Sequence, residues 1–132
     1  MVALADRDDP LAPQILELLT AEPGPLVMPA PTSAEVDYLL GRRFGGRARR
    51  AFLADLAAGR YEVAALAPEE YPEIVSLDAR YADLELGLAD CAAVVLARRF
   101  RTRRVLTFDE RHFRTAAPLQ GGSFELLPAD AD

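Results

Sequence analysis

The sequence contains no lysine: each of its 15 basic residues is an arginine. This excludes chemistry that needs an ε-amine, such as a lysine-bearing phosphate loop, and no Gly-rich loop of that pattern occurs anyway. It also argues against a phospho-acceptor receiver domain, another small doubly wound sheet with clustered acids, because receivers place a lysine near the phosphoryl group. Only one cysteine, Cys91, and one histidine, His112, are present. An internal disulfide is therefore impossible and a zinc site of the Cys/His type is excluded. Any metal would have to be held by oxygen, which points to Mg²⁺ or Mn²⁺. Cys91 sits in the most apolar segment and reads as a small buried hydrophobe. No apolar run approaches the ~20 residues that span a bilayer. The opening MVALADRDDP lacks the basic start and long apolar stretch of a secretory signal. A cytoplasmic protein with no membrane association is the expectation.

What is present fits one α/β domain over residues 1–132, with a polar tail at 129–132. A chain of 132 residues can bury roughly two-thirds of its unfolded surface. The net charge of −6 is unlike that of a protein that coats duplex nucleic acid. Yet ten arginines fall in two patches: Arg42, Arg43, Arg47, Arg49 and Arg50, then Arg98, Arg99, Arg101, Arg103 and Arg104. Local patches of this kind can bind nucleic acid on an acidic protein, or can simply be solvated helix faces.

Helical and extended patterns alternate along the chain. Asp8-Asp9-Pro10 signals a helix start, and Ile15, Leu16, Leu18 and Leu19 give residues 10–20 an apolar face. Pro23-Gly24-Pro25 breaks that helix, and Leu26-Val27-Met28 reads as a buried parallel strand. Thr32 or Ser33 is the expected cap of the next helix, with Glu35 in its first turn. Gly45-Gly46 separates it from a helix ending at Gly59, and Tyr61 to Leu66 reads as a strand. Pro68 to Tyr81 is helical, Ala82 to Gly87 a loop, and Phe124 to Leu127 a last strand. Such alternation predicts a parallel sheet covered on both faces.

The stretch Leu86 to Phe113 concentrates the chemistry. Asp90 stands at the start of an apolar helix, and Val105-Leu106-Thr107-Phe108 reads as a strand delivering Asp109 at its carboxyl end. Ligand sites of open α/β sheets collect at that edge. Glu35, Asp90 and Asp109 are thus candidate catalytic and metal-binding residues around a shared divalent cation. Each also has a plainer reading: acids at helix starts cap N–H groups and suit the dipole, and Asp109 suits a turn. Carboxylates within about 4–6 Å raise one another's pKa, and a dication relieves that repulsion. The ion can then polarise a phosphoryl oxygen or acidify a water. His112 is a candidate base with no partner evident in the sequence. Thr107 and Asp83 are possible supporting groups, and Tyr81 reads as core or rim.

The segment YADLELGLADCAAVVLARRFRTRRVLTFDERHF, Tyr81 to Phe113, resembles the C-terminal half of PIN-domain ribonucleases, in particular VapC-type toxins of bacterial toxin–antitoxin pairs. SFELLP, Ser123 to Pro128, resembles that family's last strand, and PAPTSAEVDYLLGRRF, Pro29 to Phe44, the helix carrying its glutamate. The resemblance implies a parallel three-layer α/β/α sandwich and Mg²⁺-dependent cleavage of RNA phosphodiesters by an activated water. It places the family's acids on Glu35, Asp90 and Asp109. It further implies a homodimer and a cognate antitoxin protein that blocks the site.

There is one departure. The family opens with a short central strand ending in an aspartate, and this sequence begins inside that pattern; Asp6, Asp8 and Asp9 lie downstream of the matching position. The expectation is a fold lacking its first, central strand, with metal binding and cleavage weak or absent and strands short of a partner. A start codon assigned too late accounts for this, and so does a truncated copy. The alternative function is a non-catalytic PIN-like module that binds RNA or an antitoxin without cutting.

Overall fold

A computed structural model describes residues 26–107 and 110–130. The chain divides into two compact units, one ending at Ala64 and the other beginning at Ala65. The expected helix over residues 10–20, and the matter of a first strand and its aspartate, lie outside the described residues.

In the first unit, strand β1 (Val27–Pro29) runs into helix α1 (Ala30–Phe44), followed by helix α2 (Gly46–Ala57) and strand β2 (Glu62–Ala64). β1 and β2 pair in parallel, Met28 opposite Val63, and the Glu62 N–H donates to Leu26 O at 2.8 Å. Parallel neighbours need a long crossover, which the two helices supply. Leu40 and Phe52, one from each helix, are 2% exposed and pack with Met28, while Val36, Phe44, Leu56 and Tyr61 close around them. Phe52 and Tyr61 meet as tilted rings 6.3 Å apart.

The start of α1 corrects the expected cap. The helix begins at Ala30, after Pro29 and with Pro31 in its first turn, rather than at Thr32 or Ser33. Proline is tolerated there because first-turn N–H groups have no helical partner to lose. The Ser33 hydroxyl instead donates to Ala30 O at 2.6 Å. Glu35 consequently lies beyond the first turn, which holds no acid. Between α1 and α2 the chain reverses at Gly45, whose φ of 87° is in the region that glycine adopts without a side-chain clash.

The second unit holds helix α3 (Tyr71–Arg80), helix α4 (Leu88–Arg99), strand β3 (Arg104–Leu106), helix α5 (Glu110–Thr115) and strand β4 (Glu125–Leu127). A single 3₁₀ turn, Pro68–Glu70, precedes α3, and another, Ala82–Leu84, lies where a plain loop was expected. β3 and β4 are parallel, with Val105 opposite Leu126. Cys91, Ala92, Val94, Val95, Leu96 and Ala97 of α4 are all buried. A helix apolar on nearly every side has to be enclosed. Val94, Val95, Leu77, Leu126, Phe113 and Phe124 form one core with Cys91, which is 1% exposed as a small hydrophobe should be. Phe113 and Phe124 meet edge to face at 5.7 Å. Fully burying a Leu, Val or Phe contributes about 1.5–3 kcal/mol each, so this cluster is the main stabilising element of the unit.

The second arginine patch braces this unit. Arg98 Nη1 donates to Glu73 Oε1 at 2.8 Å, Arg99 pairs with Glu70, and Arg104 Nε lies 3.5 Å from Glu125 Oε2. Arg103 Nε donates to the Gly121 carbonyl at 2.7 Å. Asp130, in the expected polar tail, is held: it accepts from the Leu126 N–H at 2.8 Å and from Arg114 Nη1 at 2.8 Å. No helix among the described residues is long and apolar enough to cross a membrane.

Candidate active site

Gly87 precedes α4 and places Asp90 in that helix's first turn. A carboxylate there lies at the positive end of the helix dipole. Its hydrogen bonding, however, is not that of a cap. Among the described residues, Asp90 makes its side-chain hydrogen bond to His112: Nδ1 lies 2.7 Å from Oδ2. With the carboxylate ionised, Nδ1–H is the donor and Oδ2 the acceptor. The side chains are 30% and 17% exposed respectively, so the pair lies at the surface of the core rather than in open solvent.

Three local features produce this contact. The buried face of α4, starting at Cys91, leaves Asp90 at the rim of the core. β3 is followed by α5, a short helix over a segment to which the sequence pattern assigns no element. Phe113 of α5 is buried against Phe124 and carries its neighbour His112 towards Asp90. His112 is the residue that sequence reasoning left without a partner. The available signal was the spacing in Glu110-Arg111-His112-Phe113, where an apolar anchor follows directly on the histidine.

The environment of Asp90 is felt by Cys91, whose thiol is pushed up by burial first and then by the Asp78 and Asp90 carboxylates. Such a thiol stays protonated and unreactive. Thr107 continues the β3–β4 ladder, its N–H donating to Leu127 O at 3.0 Å. Tyr81 packs against the core while its hydroxyl accepts from the Ala117 N–H at 3.1 Å, in keeping with a core or rim residue. Asp83 is exposed in its 3₁₀ turn.

The three expected acids fall as follows. Asp90 is in the second unit, at the contact just described. Glu35 is exposed on α1 of the first unit. Asp109 lies outside the described residues, two positions beyond Thr107 and three before His112. Among the described residues no group of three or more His, Cys, Asp or Glu side chains converges as a metal site would. The donor chemistry at Asp90 nevertheless suits a hard cation: one carboxylate oxygen is fixed by the imidazole, and Oδ1 has no hydrogen-bond donor among the described residues. Ligating carboxylates are ordinarily held by such an outer hydrogen bond.

Comparison with known proteins agrees with this architecture. The crystal structure of Mycobacterium tuberculosis VapC20, a sarcin-ricin-loop-cleaving toxin, superposes with a TM-score of 0.74 at 20% identity, covering 83% of this chain and 85% of that one. The fold is therefore PIN-like. Ribonuclease VapC26 of Mycobacterium tuberculosis is 37% identical over 128 residues, 97% of this chain and 95% of that protein. The PIN-domain family model matches residues 1–118, a span that takes in Glu35, Asp90 and Asp109 and runs through both units. This chain belongs to the PIN-domain family.

Proposed function

We propose that this protein is a Mg²⁺-dependent endoribonuclease, the toxin of a toxin–antitoxin pair, that hydrolyses RNA phosphodiester bonds. The observation that carries the reading is Asp90, a helix-start carboxylate oriented by His112 instead of capping its own helix. Family membership and the name of the 37% identical relative, a ribonuclease, supply the reaction class. Asp90, Asp109 and Glu35 are the proposed metal ligands, the positions that the resemblance to PIN-domain ribonucleases implies. Bound Mg²⁺ or Mn²⁺ would supply Lewis-acid stabilisation of phosphoryl charge and a more acidic water. The chain's own contribution is to hold the Asp90 carboxylate in a single orientation and to place the scissile phosphate. A held ligand spares the reorganisation that a freely rotating carboxylate would need before each encounter. A homodimer and an antitoxin that occludes the acids complete the proposal, by the behaviour implied for VapC-type toxins.

The test is cleavage of total RNA by the purified chain. Cleavage with Mg²⁺ that is abolished by EDTA and by Asp90→Ala is the expected result. Cleavage indifferent to both treatments would sink the metal mechanism. RNA binding without any turnover in Mg²⁺ or Mn²⁺ would favour the non-catalytic module.

A further inference from the structure

The two arginine patches look alike in the sequence but are used differently. In the second, Arg98, Arg99 and Arg104 face Glu73, Glu70 and Glu125, and Arg103 is bonded to a loop carbonyl. Those guanidinium groups are occupied within their own unit. In the first, among the described residues, only Arg49 has a carboxylate, Asp37 Oδ1 at 3.3 Å, and Arg42 Nη1 donates to the Tyr38 hydroxyl at 3.2 Å. Arg43, Arg47 and Arg50 are exposed and have no carboxylate partner among the described residues. Acid is not scarce in a chain with 21 Asp and Glu against 15 Arg, yet none occurs between Asp37 and Asp55.

The fold gathers this charge at one place. Arg42 and Arg43 are in the last turn of α1, and Arg47 is in the first turn of α2, with Gly45 alone between the helices. Arg49 lies across the α1 backbone at Gly41, where a Cβ would come within 3.2 Å of its Cδ. Arginines at the end of α1 suit its dipole, but those at the start of α2 oppose it, and no acid in that turn offsets them. Like charges at a helix start are mildly destabilising unless an anion is bound. Beside them is a shallow cleft of about 450 Å³ lined by Asp37, Tyr38, Gly41, Arg42 and Arg49. Tyr38 is 62% exposed and offers a ring face next to the positive charge.

We infer that the α1–α2 junction, through Arg43, Arg47 and Arg50 with Arg42 and Tyr38 beside them, is a docking surface for the sugar–phosphate backbone of single-stranded RNA. It rests on the ribonuclease reading for the class of polyanion. Planar guanidinium forks match phosphate oxygens, and an exposed aromatic ring stacks on a base of any identity. The surface therefore adds affinity and a direction for the strand without reading sequence.

Binding of a fluorescein-labelled single-stranded RNA of mixed sequence to the full chain in EDTA, followed by anisotropy over a range of NaCl, tests this separately from cleavage. Arg43→Gln/Arg47→Gln/Arg50→Gln should weaken binding about tenfold or more at low salt and flatten the slope of log K against log salt by about 2, at ~0.7 per lost contact. The corresponding triple arginine-to-lysine variant should keep the slope, since it keeps the charge. Arg98→Gln, in the occupied patch, should leave both unchanged. An unaltered affinity and slope in the triple glutamine variant would overturn the docking surface while leaving the nuclease reading intact. Weakened binding of a polyglutamate peptide with RNA binding unchanged would overturn it in favour of an acidic protein partner. No cleavage by the unsubstituted chain in Mg²⁺, with this salt behaviour present, would count against the nuclease and support the surface.

Discussion

His112 Nδ1 lies 2.7 Å from Asp90 Oδ2 although 22 residues separate them in the chain. The single histidine of the protein is thereby joined to the acid at the start of the most buried helix among the described residues. This contact fixes the orientation of a helix-start carboxylate, and the first two predictions test the ligand role proposed for it.

Asp90→Asn keeps the size and much of the hydrogen bonding of the side chain but removes its charge. RNA cleavage should fall by more than about 100-fold, because a neutral amide is a poor ligand for a hard dication. Thermal stability should change little, as the side chain is part-exposed. Retained cleavage with unchanged metal titration would remove Asp90 from the site.

His112→Ala should lower activity about 10- to 100-fold, the usual effect of losing an outer hydrogen bond to a metal ligand. His112→Asn, whose amide N–H can occupy the position of Nδ1, should recover part of that loss. A purely structural role would show as equal damage in both variants, accompanied by a lower melting temperature.

Leu126→Ala tests the core that supports the site. Leu126 is fully buried between β3 and the rest of the second unit's cluster. Its truncation should cost about 2–5 kcal/mol in urea denaturation. Val75→Ala, at a position 70% exposed, should change stability by less than about 0.5 kcal/mol. Similar losses at the two positions would contradict the assigned core.

The chain end gives a pH prediction. The Arg114 guanidinium, then the Leu126 N–H, hold the Asp130 carboxyl down at about 2, from an ordinary 3.8. A folded pKa below the unfolded one means stabilisation that is fully present above 3.8 and lost as pH falls towards 2. Asp130→Asn should therefore destabilise the protein at pH values above that window, and the gap from wild type should close as the pH drops through it. A gap that is the same on both sides of the window would show that the ion pair does not stabilise the fold. Because the pair is exposed, added salt should shrink the effect.

The strands were legible because apolar runs such as Leu26-Val27-Met28 and Phe124-Glu125-Leu126-Leu127 are short and bounded by Gly or Pro; both were found within about two residues. The start of α1 was misread because Pro31 looks like a breaker, while a first helical turn accepts it. α5 was missed as a helix because six residues are too few for a periodic pattern to emerge.

Local order is what the amino-acid sequence determined by itself: which segments alternate as strand and helix, that the pairing would be parallel, that Cys91 would be a small buried hydrophobe, and that Asp90 stands at a helix start. These follow from side-chain periodicity and backbone preference, which act over a few residues. Only the tertiary structure decided what those acids and arginines touch. His112 reaches Asp90, and Glu73, Glu70 and Glu125 claim Arg98, Arg99 and Arg104 while Arg43, Arg47 and Arg50 are exposed, because charges find partners through space at a few ångströms whatever their separation along the chain.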